Sequence, residues 1–203
     1  FSAFSGALRS LALELIRIAN DLRLLSSGPA TGLDEIVLPP VQPGSSIMPG
    51  KVNPVMAEML NMVCFQVIGH DTTVAMAVQA GQLELNVMMP VIIHNILSSL
   101  RILTSSLAVF HQRCVAGITV NEERCQYYFA NSLGLATVLN VIIGYDRAAQ
   151  VMKEALREKK SVLQVIADKK ILSEAEINEL FSAEQLTRPG VPGQMREGTN
   201  DTK

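Results

Sequence analysis

The chain has 203 residues, 48% of them hydrophobic, enough for one large or two small domains around a substantial core. Aromatic residues make up only 4% and tryptophan is absent, so the core is aliphatic, and a core of Leu, Ile, Val, Ala and Met favours packed helices over a sandwich or barrel. The formal charge is −2, and Lys and Arg are scattered instead of gathered into a basic face, which argues against nucleic acid as a partner.

Cys64, Cys114 and Cys125 are odd in number, widely spaced and set in helical patterns. They read as small apolar residues of a reduced, cytoplasmic protein. No basic-then-apolar leader opens the sequence, and no charge-free apolar run is long enough to span a bilayer, so no membrane partner is expected. The sequence starts at Phe1 without an initiator methionine and runs straight into helical periodicity. We expect a fragment of a longer polypeptide.

Taken in chain order, Leu8, Leu11, Leu15, Ile18, Ala19, Leu22 and Leu25 recur at helical spacing over residues 7–25, with Arg9, Glu14, Arg17, Asp21 and Arg23 as the polar counterweight. Ser26, Ser27, Gly28 and Pro29 predict its end. Residues 30–43 read as an irregular connector with a short extended piece at Ile36, Val37 and Leu38. Residues 55–79 lack proline, are rich in Met, Val and Ala, and predict one long helix. It is apolar most of the way round and so belongs in the middle of a bundle. Residues 85–115 repeat this character, with Pro90 near the start and Gly117 just past the end. Helices this long and this apolar imply partner helices from another chain.

Beyond Gly117 the segments are shorter and more charged. Asn121 predicts an N-cap for a helix to about residue 133, Gly144 opens another to Glu158, Ser161 a third to about Lys169, and Ser173 with Glu176 forms a capping-box pattern for a last helix to Phe181. The expected class is therefore all-α. A long-helix bundle over residues 1–117 carries the loop 43–54, a small helical domain follows over residues 118–187, and residues 188–203, rich in Pro, Gly, Thr and Asn, form a flexible tail.

The loop between the first two long helices carries the candidate chemistry. Its sequence is Pro43, Gly44, Ser45, Ser46, Ile47, Met48, Pro49, Gly50, Lys51, Val52, Asn53, Pro54. Glycines permit close approach to a ligand, prolines fix where the chain enters and leaves, and hydroxyl, ammonium and amide groups together suit an anion. Ser45 is either a turn serine bonded to its own backbone or a base whose oxyanion is stabilised by N–H groups and Lys51. Lys51 and Asn53 can point to one side of an extended segment and clamp a carboxylate, or Lys51 is simply solvated. Glu58, one turn inside an apolar helix, requires a partner such as a histidine. Lys51 is followed by valine and no strand precedes the loop, so it is not a phosphate-binding loop. His70, His94 and His111 lack the spacing of a helical metal pair, and neither a metal site nor a cofactor is expected.

Residues 44–54 resemble, essentially letter for letter, the signature loop of the fumarase/aspartase superfamily, and the likeness extends through residues 18–29 and the long helices. The resemblance implies a homotetramer built on very long helices, a small dicarboxylate substrate, and active sites each assembled from three subunits. It implies that Ser45 is the general base removing a proton next to a carboxylate. Lys51 and Asn53, with Ser46, would hold the substrate and its aci-carboxylate form, Gly44 and Gly50 would be loop hinges, and Glu58 would pair with a histidine from an upstream motif that this sequence lacks. Pro54, Val55, Met56, Ala57 and Glu58, the stretch from Gly81 to Met88, and the ending Leu186–Gly193 resemble the aspartase branch, whereas Gly50 and the stretch Val91–Asn95 fit fumarases equally. The implied reaction is reversible elimination of ammonia from L-aspartate to fumarate, the alternative being hydration of fumarate to L-malate. A reading of another class is an oligomerisation core without activity of its own. Ala30 stands where the family usually has arginine and His70 where it usually has asparagine. Without the upstream motifs, the lone chain is expected to be inactive.

Overall fold

The computed structural model describes residues 1–42 and 52–190. It is all-α apart from one two-stranded ribbon, as the aliphatic composition requires. The chain divides into two units, Phe1–Arg124 and Cys125–Lys203.

The first unit is built on α1 (Ser2–Leu25), α2 (Val55–Gln79) and α3 (Met89–Arg113). The long helices span about 38 Å each at 1.5 Å per residue. α2 begins and ends where its proline-free run does. Its buried positions Ala57, Leu60, Asn61, Cys64, Val67, Val74 and Ala77 recur every three or four residues, one stripe facing α1 and α3. Ala12, Ala19, Leu60, Cys64, Leu103 and Phe110 form the main core. Val74 and Ala77 pack with Ile92 and Ile96 in a second cluster at the other end. Small side chains at Ala12, Ala19, Ala57 and Cys64, each 0% exposed, let the helices approach closely.

The remaining apolar face is not covered by the described residues of the first unit. Phe4, Leu13, Met62, Phe65 and Leu97 are all at least half exposed. Singly this is ordinary, but together along three helices it is the pattern expected of helices with further partners. The stretch Met89–Gly117 is also long and apolar enough, by length and composition alone, to cross a membrane, but Arg101 falls within it and one side of it packs on α2.

α3 starts four residues later than its composition predicts. Residues 82–88 are instead a tight link, with a bridge between Gln82 and Leu85. Asn86 closes it, donating from Nδ2 to the Ala77 and Val78 carbonyls at 3.0 and 3.3 Å and accepting from the Met88 N–H at 2.8 Å. These bonds satisfy carbonyls that the end of α2 would otherwise leave open.

The connector after α1 is stapled to the segment after α3. β1 (Ile36–Val37) pairs antiparallel with β2 (Thr119–Val120), a single 3-10 turn at Val115–Gly117 leading into the latter. α4 (Glu122–Ala130) starts at Asn121, whose N–H donates to Glu35 O at 2.9 Å and whose Nδ2 donates to Asp34 Oδ2 at 3.0 Å. Arg124 donates to the Leu33 and Gly32 carbonyls at 3.1 and 3.3 Å. Residues 118–124 thereby go with the first unit.

In the second unit α5 (Leu135–Ile143), α6 (Tyr145–Glu158) and α7 (Val162–Asp168) pack around Leu139, Val151, Val162, Val165 and Ile166, with Phe181 beyond α8 (Glu174–Leu180) closing the core. α9 (Ala183–Thr187) follows. Ser161 with Gln164 and Ser173 with Glu176 each form both bonds of a capping box. That reciprocal bonding from Ser173 holds the Glu176 carboxyl below its ordinary range. α5 was not foreseen as a helix, because its run of Val, Ile, Leu and Thr has no capping signal and no polar face to show its period.

Candidate active site

Asn53 and Glu58 fall within the described residues, at the start of α2. Gly44, Ser45, Ser46, Gly50 and Lys51 lie outside them. The Asn53 carbonyl accepts from the Val55 N–H at 2.8 Å and the Pro54 carbonyl from the Glu58 N–H at 3.1 Å, which begins the helix. No side chain caps it, but Glu58 places a carboxylate in the first turn, where the helix dipole favours negative charge.

Among the described residues Glu58 meets an arginine. Its Oε1 lies 3.7 Å from Arg23 Nη2, both side chains being about two-fifths exposed (42% and 41%). Arg23 also donates from Nη1 to Asn20 Oδ1 at 3.2 Å, and the same oxygen accepts from Asn61 Nδ2 at 2.9 Å. A polar chain Glu58–Arg23–Asn20–Asn61 thus ties the first turns of α2 to α1. Asn61 is 5% exposed, and its Oδ1 accepts no hydrogen bond from the described residues. Reading the sequence segment by segment missed this pairing. The available signal was that Arg23 lies in the stretch 18–29, which resembles the same family as the loop.

The two ends of the loop converge on the C-terminus of α3. Pro39 and Val41 on the incoming side share a narrow cleft with Asn53 and Pro54 on the outgoing side, floored by Arg113 and Cys114. Cys114 is 2% exposed, and burial raises its thiol pKa. Midway along α2 and α3 lies a second polar group, His70 with Ser99 and Gln66. Among the described residues no cluster of three or more His, Cys, Asp or Glu could hold a metal ion.

Two protein-family profiles match the chain, "Lyase" over residues 2–69 and "Fumarase C C-terminus" over residues 135–188. Aspartate ammonia-lyase of Helicobacter pylori is 49% identical over 185 residues, which is 91% of this chain and 40% of the relative. Aspartate ammonia-lyase of Escherichia coli is 50% identical over 184 residues, covering 91% of this chain and 38% of the relative. Among solved structures, the cobalt-bound fumarate lyase:delta crystallin from Brucella melitensis matches with a TM-score of 0.88 and 51% identity, over 93% of this chain and 41% of that one. Recombinant class II fumarase from Schistosoma mansoni matches with a TM-score of 0.78 and 44% identity, over 86% and 36%.

The long-helix bundle and the small helical unit after it are the parts that the two profiles match. The chain belongs to the fumarase/aspartase superfamily, and it spans about 40% of the length of the curated relatives it matches.

Proposed function

We propose that the chain is part of an aspartate ammonia-lyase that reversibly eliminates ammonia from L-aspartate to give fumarate. The observation that carries this reading is identity near one half to aspartate ammonia-lyases across nine-tenths of the chain. In this reading Ser45 removes the proton next to the β-carboxylate, leaving an aci-carboxylate dianion. That intermediate expels ammonia as the C–N bond breaks. Lys51 and Asn53, with Ser46 beside them, hold the carboxylate and balance its second charge, which is where fixed donors contribute most to rate. Gly44 and Gly50 are the hinges of the loop, and Glu58 polarises a histidine supplied from outside this sequence.

The exposed apolar faces of α1, α2 and α3 support a homotetramer in which neighbouring subunits cover them and complete each site. Cys64 and Cys114, buried thiols outside any disulfide, support a reducing, cytoplasmic setting. No cofactor enters this reading.

The test is an assay of the full-length enzyme containing this chain, following fumarate absorbance with L-aspartate and, separately, with L-malate. Turnover of aspartate supports the reading. Turnover of malate alone replaces it with fumarate hydratase, the rival favoured by the fumarase-type match at residues 135–188. Turnover of neither leaves only a bundle-forming role.

A further inference from the structure

The path into the loop is set by one close approach. Gly117 ends the 3-10 turn that follows α3, and a Cβ placed on it would lie 2.6 Å from Cγ of Pro39 and 3.6 and 3.8 Å from Cβ and Cδ of the same ring. Carbon atoms in good contact sit at roughly 3.5–4 Å, so any side chain at 117 must push the proline away. The ring cannot rotate aside, because it is closed onto its own backbone nitrogen.

Pro39 is pressed against this turn from several directions. Ile36 and Val37 are paired in register with Val120 and Thr119, the Asn121 N–H holds Glu35 O at 2.9 Å, and Leu38 is buried in the same core as Cys114. Pro39 is four positions before the first loop residue, Pro43. Asn53 and Pro54, where the loop returns, line the same cleft against Cys114. A shift of Pro39 therefore moves one end of the loop relative to the other.

We propose that Gly117 is a positioning residue for the lyase reaction. By admitting the Pro39 ring against the end of α3, it sets the cleft in which Pro39 and Val41 meet Asn53, and hence where Asn53 is held for the substrate carboxylate. The inference rests on the reading of this chain as part of an aspartate ammonia-lyase.

The test compares Gly117→Ala, Pro39→Ala and the double variant in the full-length enzyme. A displacement on the scale of 1 Å costs about 100-fold in kcat, and a loss of positioning appears in kcat with KM changed by less than about threefold. Pro39→Ala removes the Cγ that a new methyl would strike, so the double variant returns to within about threefold of Pro39→Ala. Independently of activity, hydrogen exchange of the Asn121 amide, which is bonded to Glu35 O beside Pro39, rises in Gly117→Ala and falls back in the double variant. Unchanged kcat in Gly117→Ala, or a loss that Pro39→Ala does not relieve, overturns the proposal. If Gly117→Ala does not assemble, the double variant is compared with Pro39→Ala alone, and a deficit above about tenfold overturns it. If the parent enzyme turns over no aspartate, the proposed function fails by that result, and equal exchange of the Asn121 amide in parent and Gly117→Ala overturns the positioning role separately.

Discussion

His70 and Ser99 are joined across the seam between α2 and α3, with Nδ1 2.9 Å from the Ser99 hydroxyl. The other ring nitrogen faces the Gln66 amide nitrogen at 2.9 Å. An amide nitrogen only donates, so Nε2 accepts and the proton sits on Nδ1, where it is donated to Ser99. The neutral ring is thus the one that fits. Burial lowers the His70 pKa below its ordinary 6.5, and the charge of nearby His94 lowers it further.

From this follows a pH dependence of stability. Between the lowered folded value and about 6.5 the unfolded chain binds more protons than the folded one, so stability rises with pH across that window. The contribution is complete above about 6.5 and is lost as pH falls through the window. Thermal unfolding in steps from about pH 7 to pH 5 is expected to show a falling midpoint that His70→Asn flattens. An equal slope in the variant refutes the assignment.

Asp71, one residue along α2, links that helix to α1. It accepts from the Ser5 hydroxyl at 2.6 Å, and its Oδ2 forms an ion pair with Arg9 Nε at 3.2 Å. Ser5 is 4% exposed, so its hydroxyl cannot turn to water. Asp71→Ala is expected to cost about 1–3 kcal/mol, chiefly the stranded hydroxyl, since the half-exposed Arg9 pair is screened. Chemical denaturation checks this, and the Ser5→Ala/Asp71→Ala double variant should recover part of the loss. A double variant as unstable as the sum of the singles removes the coupling.

How much of this could be read from the sequence depended on range. The α2 boundaries were legible because Pro54 and the Ala80–Gly81 pair bracket an uninterrupted run, and the short helices at Ser161 and Ser173 were legible because a capping box is complete within four residues. The link at residues 82–88 was not, because Leu85, Val87 and Met88 continue the apolar composition of the helix and only the bonds of Asn86 to α2 stop it. At the candidate site, the loop stands out in the sequence by its unusual composition and resemblance, and its residues 43–51 lie outside the described ones. The pairing of Glu58 with Arg23 and the contact of Gly117 with Pro39 join residues far apart in sequence, and no local pattern encodes either.

The cysteines divide by accessibility. Cys64 is 0% and Cys114 2% exposed, and burial raises the pKa of both thiols, which leaves little thiolate at neutral pH. Brief treatment of the native protein with iodoacetamide near pH 7.5, a roughly neutral condition, is expected to leave both unmodified, with labelling appearing only after denaturation. Peptide mass spectrometry reads the result, and rapid native labelling of Cys64 would show that the α1–α2 core opens readily.

Glu58 offers a way to separate stability from catalysis. Its pair with Arg23 is long, at 3.7 Å, and both partners are substantially solvated, so the pair adds at most about 1 kcal/mol. Arg23 keeps its bond to Asn20 when the carboxylate is lost, and the amide of a glutamine preserves the helical turn. Glu58→Gln in the full-length enzyme is therefore expected to shift the unfolding midpoint by only a few degrees. If Glu58 polarises a histidine in the assembled site, kcat should fall by about 100-fold, within the range general acid–base catalysis supplies. A variant that keeps its fold and loses turnover places Glu58 in the reaction. One that keeps both has only the surface ion pair seen between α1 and α2, and the catalytic assignment of Glu58 is then wrong.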